Sequence, residues 1–277
     1  HILIDPPDET GDAIQAALHT GEPAALATIF EGQGLGAKLL VRPGADPIGT
    51  LGDPDLDRVV VRDALGELEA GRTGVRHYGL HGEARREEGV GVFIESFAPP
   101  PRMVIFGSID FTAALARLGK LLGYRVTVCD ARAVFATKAR FPMADEVVVD
   151  WPDRYLAGVG AELGPRDVVC VLTHDPKFDV PAIQAALGTK VGYLGAMGSR
   201  RTHGQRLVRL REAGVDDSGL ARVMAPVGLD IGARTPEETA VAICAEIIAV
   251  RTGRGAPSLR NAEGPIHGRA APALASG

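Results

Sequence analysis

The run Arg102-Met103-Val104-Ile105-Phe106-Gly107-Ser108-Ile109-Asp110-Phe111-Thr112 sets the class of the larger part of the chain. Its first half is continuously apolar and ends in glycine, as a strand buried on both faces does. Phe111, Leu115, Leu118 and Leu122 then recur at helical spacing, with Gly123 just past the last of them. Reading onward, Arg125 to Asp130 is a second strand and Val147-Val148-Val149 a third. Val168 to Leu172 is a fourth, and Lys190-Val191-Gly192-Tyr193 a fifth. Helical segments separate them, so the pattern predicts a parallel sheet covered on both faces. A last helix starts at Thr235-Pro236-Glu237-Glu238, a capping box with Pro in the first turn, and Val241, Cys244, Ala245 and Ile248 form its apolar face.

Upstream, Pro99-Pro100-Pro101 cannot continue a strand ladder or sit inside a helix, so the linker is placed at 98–102. It divides a domain of residues 1–97 from one of 103–252, and a Gly-, Pro- and Ala-rich tail, 253–277, is expected to be poorly ordered or draped on the surface. The first domain reads as α+β. Asp8 to His19 is a helix, and Ala24–Phe30 and Ala37–Val41 are strands about a glycine-rich turn. Asp53-Pro54 is an N-cap with Pro at the first helical position, and Gly71 ends that helix. Val75–Leu80 and Val90–Glu95 are later strands. The fold class is thus a doubly wound α/β sheet preceded by a smaller α+β domain.

A formal charge of −5 offers no basic field, which argues against nucleic acid as a main partner. No apolar run approaches the roughly 20 residues of a membrane span. The start His1-Ile2-Leu3-Ile4-Asp5 has no signal-peptide pattern, and His1, which is no natural initiator, reads as a processed or an engineered end. Cys129, Cys170 and Cys244 sit apart in apolar runs, which predicts buried free thiols, no zinc site and a reducing, cytoplasmic compartment.

In such sheets ligands bind beyond the carboxyl ends of the strands, where strand order reverses. Four segments qualify. After strand one, Gly107 begins a degenerate dinucleotide fingerprint: Ile109 stands where a second glycine would let a pyrophosphate approach, and Thr112 at the third. Asp110 there reads as an N-cap, and its charge disfavours phosphate. Asp130 ends strand two, where a ribose-binding acid would sit, or is a solvated turn residue. Thr173-His174-Asp175 follows strand four and could serve proton transfer, metal binding or polar recognition, or Asp175 could simply cap the next helix. The Gly195-Ala196-Met197-Gly198-Ser199-Arg200-Arg201 loop leads into a helix after strand five. Two arginines at a helix start oppose its dipole, and a bound anion would reverse that sign.

The glycine-rich run 195–201, Ala225-Pro226-Val227-Gly228-Leu229-Asp230-Ile231-Gly232-Ala233, Thr235-Pro236-Glu237-Glu238, Ala245-Glu246-Ile247-Ile248 and Thr173-His174-Asp175 together closely resemble the XdhC/CoxI family of xanthine dehydrogenase and carbon monoxide dehydrogenase accessory proteins. Ala25–Thr28, Gly36–Val41 and Ile48–Leu51 resemble its N-terminal part more weakly. The resemblance implies a Rossmann-like second domain and a maturation factor, more than a turnover enzyme, that transiently binds the molybdenum cofactor as molybdopterin or its dinucleotide. It implies an apo molybdenum hydroxylase as partner, a cysteine desulfurase or cofactor nucleotidyltransferase as further partners, and a homodimer. Phosphates would lie near Ser199, Arg200 and Arg201, with Gly107, Asp130, Thr173, His174, Asp175, Gly195, Gly198 and Asp230 around the same crevice; no metal ligands and no catalytic residue are assigned. Two departures count against other chemistry. Gly52-Asp53-Pro54 stands where many members have Gly-Gly-Cys, and Ile109 replaces the glycine many members keep. The rival readings are an NAD(P)-dependent oxidoreductase and a structural protein that merely docks on a dehydrogenase.

Overall fold

The computed structural model describes residues 9–83, 89–173 and 175–261, and the chain divides into two units, His1–Pro99 and Pro100–Gly277. The first unit runs α1 (Glu9–Thr20), β1 (Ala24–Glu31), β2 (Lys38–Val41), β3 (Ile48–Gly49), α2 (Pro54–Ala70), β4 (Gly74–Tyr78) and β5 (Val90–Phe97). Its antiparallel sheet has the order β3-β2-β1-β5-β4. Alternation along the strands sorts two cores. Ala25, Ala27, Ile29, Leu39 and Val41 pack with Leu56, Val60, Ala64 and Leu68, the i, i+4 stripe of α2. Ala24, Leu26 and Leu40 pack with Ala13, Ile14 and Ala17 of α1. Asp53 caps α2 as its sequence predicts, accepting the amides of Asp55 and Leu56 at 3.0 and 2.9 Å.

The second unit runs β6 (Arg102–Phe106), α3 (Asp110–Leu121), β7 (Arg125–Cys129), β8 (Glu146–Val148), α4 (Pro152–Val159), β9 (Val168–Val171), α5 (Pro176–Leu187), β10 (Tyr193–Ala196), α6 (Arg200–Glu212), α7 (Asp217–Ala221), β11 (Val223–Met224) and α8 (Pro236–Thr252). The sheet is parallel throughout, in the order β11-β10-β9-β6-β7-β8. One face (Met103, Ile105, Val126, Val128, Cys170) packs against α3 and α8. The other (Val104, Phe106, Val169, Val171, Leu194, Ala196) packs against α4, α5 and α6. The first strand lies in the middle and the chain winds outward both ways, so order reverses between β6 and β9. That is the Rossmann arrangement, with its crevice beyond the carboxyl ends of those two strands.

Several readings of the sequence shift. The fifth strand is Tyr193–Ala196, three residues later than expected, so Gly195 lies inside it. A Cβ there would come within 2.5 Å of the Val227 side chain and 2.8 Å of the Tyr193 ring, so packing, not loop geometry, selects that glycine. A sixth strand, β11, was not expected. Arg102, the first residue of β6, pairs with Arg125 of β7, and Ser96 and Phe97 belong to β5, which confines the irregular stretch to residues 98–101. On α3 the buried stripe is Thr112, Leu115, Ala116 and Gly119, while Leu122 is the exposed C-cap. On α8 it is Ala240, Ile243, Cys244 and Ile247, with Val241 and Ile248 exposed. That helix is apolar nearly all round, so periodicity cannot choose its inner face. Asp8 and the tail beyond Asn261 lie outside the described residues.

Candidate functional site

Three neighbouring strands, β10, β9 and β6, end side by side, about 4.8 Å apart. Ladder bonds carry on past them: Leu172 donates to the Phe106 carbonyl and Met197 to that of Val171, each at 2.8 Å. The loops that follow are therefore held at one edge. Gly107 takes φ +108°, and a Cβ on it would sit 2.9 Å from the Thr173 amide nitrogen. Only glycine allows this turn and this approach of two backbones. Thr112, fully buried, donates its hydroxyl to the Gly107 carbonyl. The N-cap of α3 is Ile109, so Asp110 is the first helical residue and exposed, and not the cap its sequence suggested.

Asp130 is buried and accepts four hydrogen bonds: the Ser108 amide at 2.8 Å, the Arg132 amide at 2.9 Å, and Arg132 Nε and Nη2 at 2.9 and 2.7 Å. Burial pushes its carboxyl pKa up, but the bonds from Arg132 and Ser108 outweigh that and hold it below the ordinary carboxylate value. Arg132 is a residue the sequence reading missed. Its guanidinium also feels the charge of Asp175 and lies 4.8 Å from the centre of the Phe135 ring. Arg140 shares that ring at 5.7 Å and donates to the Ser108 carbonyl at 3.3 Å. Asp-x-Arg after a strand was the visible signal.

Thr173 is buried, and its hydroxyl accepts the Asp175 amide at 3.1 Å. Asp175 caps α5, accepting the Lys177 amide at 3.1 Å, which is the plainer of its two sequence readings. His174 lies outside the described residues.

At the end of β10, Gly198 has φ +151°, and Ser199 caps α6 by accepting the Thr202 amide at 3.1 Å. No acidic residue lies in the first turn of α6. Arg200 and Arg201 are both exposed there. Asp230, on the loop before α8, approaches Arg200 at 4.0 Å with both side chains 91% exposed, a contact worth about 0–1 kcal/mol. The structure thus brings Gly107 to Thr173, and Gly198 and Ser199 to Arg200 and Asp230, on adjacent strand ends; Asp130 is turned to the loop after β6.

Arg206 was also missed. It is 2% exposed, and its Nη2 donates to the Met197 carbonyl at 2.7 Å and to Asp179 Oδ2 at 2.9 Å. Five arginines lie along α6, and no sequence pattern marks the one that turns inward.

The three cysteines are free and buried. Burial pushes the Cys129 and Cys244 thiols up to about 12 and about 11, and Cys170 upward as well. Among the described residues no three His, Cys, Asp or Glu side chains converge to hold a metal ion, and no helix is long and apolar enough to cross a membrane.

Two family patterns match the chain: one described as the XdhC Rossmann domain over residues 103–247, the other as the XdhC and CoxI family over residues 17–79. The chain is 30% identical to the uncharacterised protein YqeB of Escherichia coli (strain K12), over 83% of this chain and 44% of that protein. It is 34% identical to a protein of Bacillus subtilis (strain 168) described as a probable xanthine dehydrogenase subunit, over 58% of this chain and 46% of that protein. It is 31% identical to the molybdenum cofactor insertion chaperone PaoD of Escherichia coli (strain K12), over 57% and 43% respectively. The chain therefore spans less than half the length of these curated relatives. A crystal structure described as a xanthine dehydrogenase from Bacillus halodurans shares the fold, with a TM-score of 0.51, 21% identity, and coverage of 90% of this chain and 97% of that one.

Proposed function

This chain belongs to the XdhC and CoxI family, and from that premise we propose that it is an accessory factor that binds the molybdenum cofactor and helps mature molybdenum hydroxylases of the xanthine dehydrogenase and carbon monoxide dehydrogenase type. The observation that carries this reading is the exposed Arg200–Arg201 pair at the Ser199-capped start of α6, with no acid in that first turn. Two cations at the positive end of a helix dipole cost about 0.3–1 kcal/mol each unless an anion joins them. The phosphate of a pterin phosphate or pterin dinucleotide is such an anion. The names of two relatives, one a cofactor insertion chaperone and the other a dehydrogenase component, support the same reading.

The residues present fit the organic part of that cofactor. Arg200, Arg201, Ser199 and the free amides of α6 would hold its phosphate. Thr173, Gly107 and Asp230 would border the rest, and His174 follows Thr173 in the chain. Once in a dehydrogenase, the cofactor supplies the redox centre for hydroxylation; the role of this chain is to bind, orient and release it. An apo molybdenum hydroxylase is the proposed partner. Sulfuration assisted by a thiol of residues 1–97 has no support, because Cys129, Cys170 and Cys244 all lie in the second unit.

An NAD(P)-dependent oxidoreductase has less support. Ile109 caps α3 where a pyrophosphate would approach, and the carboxylate of Asp130 is already committed to Arg132 and Ser108. The test is to purify the full chain from molybdenum-replete cells and measure oxidised-pterin fluorescence and molybdenum. Pterin bound in proportion to protein supports the reading; its absence, with nicotinamide bound instead, supports the rival.

A further inference from the structure

Burying a guanidinium–carboxylate pair is a poor way to gain stability, because desolvation offsets most of the attraction. The Arg206–Asp179 pair is such a case, with side chains 2% and 5% exposed. Moreover Nε and Nη1 of Arg206 are buried without a hydrogen-bond partner among the described residues. Leaving buried donors unsatisfied costs their full desolvation. One turn earlier on α6, Nδ1 of His203 is likewise buried and unpartnered among those residues, and burial together with the Arg206 charge lowers its pKa. Apolar residues at both positions 179 and 206 would fill the same space without these penalties.

What Arg206 does achieve is a junction. Through one nitrogen, Nη2, it holds the carbonyl of Met197, which opens the loop leading to Ser199, Arg200 and Arg201. The same nitrogen holds Asp179 in the first turn of α5, the helix that begins at the Thr173–Asp175 loop. We propose that Arg206 is a positioning residue: bridging Met197 and Asp179, it sets the glycine-rich loop after β10 against the loop after β9 so that the Ser199 hydroxyl and the amides of α6 converge on one oxyanion. This rests on the anion-site reading of α6 given above.

The experiment uses the full chain and pyrophosphate as probe, titrated calorimetrically. Three proteins are compared at matched thermal midpoints: wild type, Arg200→Ala/Arg201→Ala, and Asp179→Leu/Arg206→Met. The last removes the bridge and both buried charges together, so that neither charge of the pair is left facing the gap of the other. The expected result is that both variants lose about tenfold or more in affinity, at about 1.4 kcal/mol per decade. A purely structural role for Arg206 would leave affinity untouched once stability is matched. If Asp179→Leu/Arg206→Met binds pyrophosphate as wild type does while the Arg200/Arg201 variant does not, the positioning role is overturned and the anion site stands. If wild type does not bind, or the Arg200/Arg201 variant binds equally well, the anion site itself fails and the proposal goes with it. Should Asp179→Leu/Arg206→Met not fold, Arg206→Lys carries the test. It keeps the charge opposite Asp179 on a stem one bond shorter, which draws the donor back from the Met197 carbonyl, so affinity should fall about threefold or more; unchanged affinity overturns the proposal.

Discussion

Oδ2 of Asp130 accepts the amide of Ser108 at 2.8 Å, so the acid that ends β7 fastens the loop after β6 instead of facing an open crevice. The bond is buried and reinforced by Arg132, whose Nε and Nη2 donate to the two oxygens of the same carboxylate. This one contact decides two expectations, for stability and for nicotinamide binding.

For stability the direction follows from the depressed pKa of Asp130. A carboxylate whose folded pKa lies below its unfolded value stabilises the fold above the unfolded pKa, near 3.9, and loses that contribution as pH falls through the folded pKa. Asp130→Asn should therefore cost about 2 kcal/mol at pH 7, the scale of a charge-assisted hydrogen bond. The difference from wild type should shrink below about pH 4. Urea unfolding at pH 7 and pH 3 measures both; an equal deficit at the two pH values would contradict the ionised role of Asp130.

For nicotinamide binding, Asp130 has no free oxygen for a ribose and Ile109 blocks the close approach. NAD and NADP should bind more weakly than about 10 μM, roughly 7 kcal/mol. Calorimetric titration checks this, and tighter binding would show that the loop after β6 rearranges to admit a dinucleotide.

Cys129, Cys170 and Cys244 should alkylate slowly in the folded chain, because burial raises all three thiols and leaves little thiolate at pH 7. Iodoacetamide labelling followed by mass spectrometry reads each site. Rapid native labelling of any one would restore a route for sulfur transfer through it.

Ser199 and its two neighbours should separate cleanly. Ser199→Ala removes the α6 cap and should lower the stability of the ligand-free chain by about 1 kcal/mol. Arg200→Ala and Arg201→Ala, at exposed positions against the dipole, should leave the thermal midpoint unchanged or slightly raised. A marked loss of stability in the arginine variants would make them structural residues.

The alternation of Val-rich strands with helices made the winding of the second unit readable, and the Asp53-Pro54 and Thr235-Pro236 caps fixed two helix starts, because both signals are local. The start of β10 was misjudged because its Gly195 resembles a loop residue; the crowding of Val227 and Tyr193 that demands it is a tertiary fact. The edge strand β11 is only two residues long and gave no periodic signal. The place of Ser199, Arg200 and Arg201 at a helix start was legible because a glycine-rich loop, a capping serine and charge against the dipole are local signals. Arg206 was not, since its burial depends on Asp179 and Met197, which approach it only in the folded chain.

The most direct measurement is the pterin content of the full chain, wild type against Arg200→Ala/Arg201→Ala, purified in parallel from molybdenum-replete cells. The expected result is pterin fluorescence in proportion to wild-type protein and about a tenth of it or less in a variant of equal thermal midpoint, the decade that about 1.4 kcal/mol of lost phosphate contact represents. Equal pterin in both proteins, or none in either, would contradict a cofactor site at the start of α6.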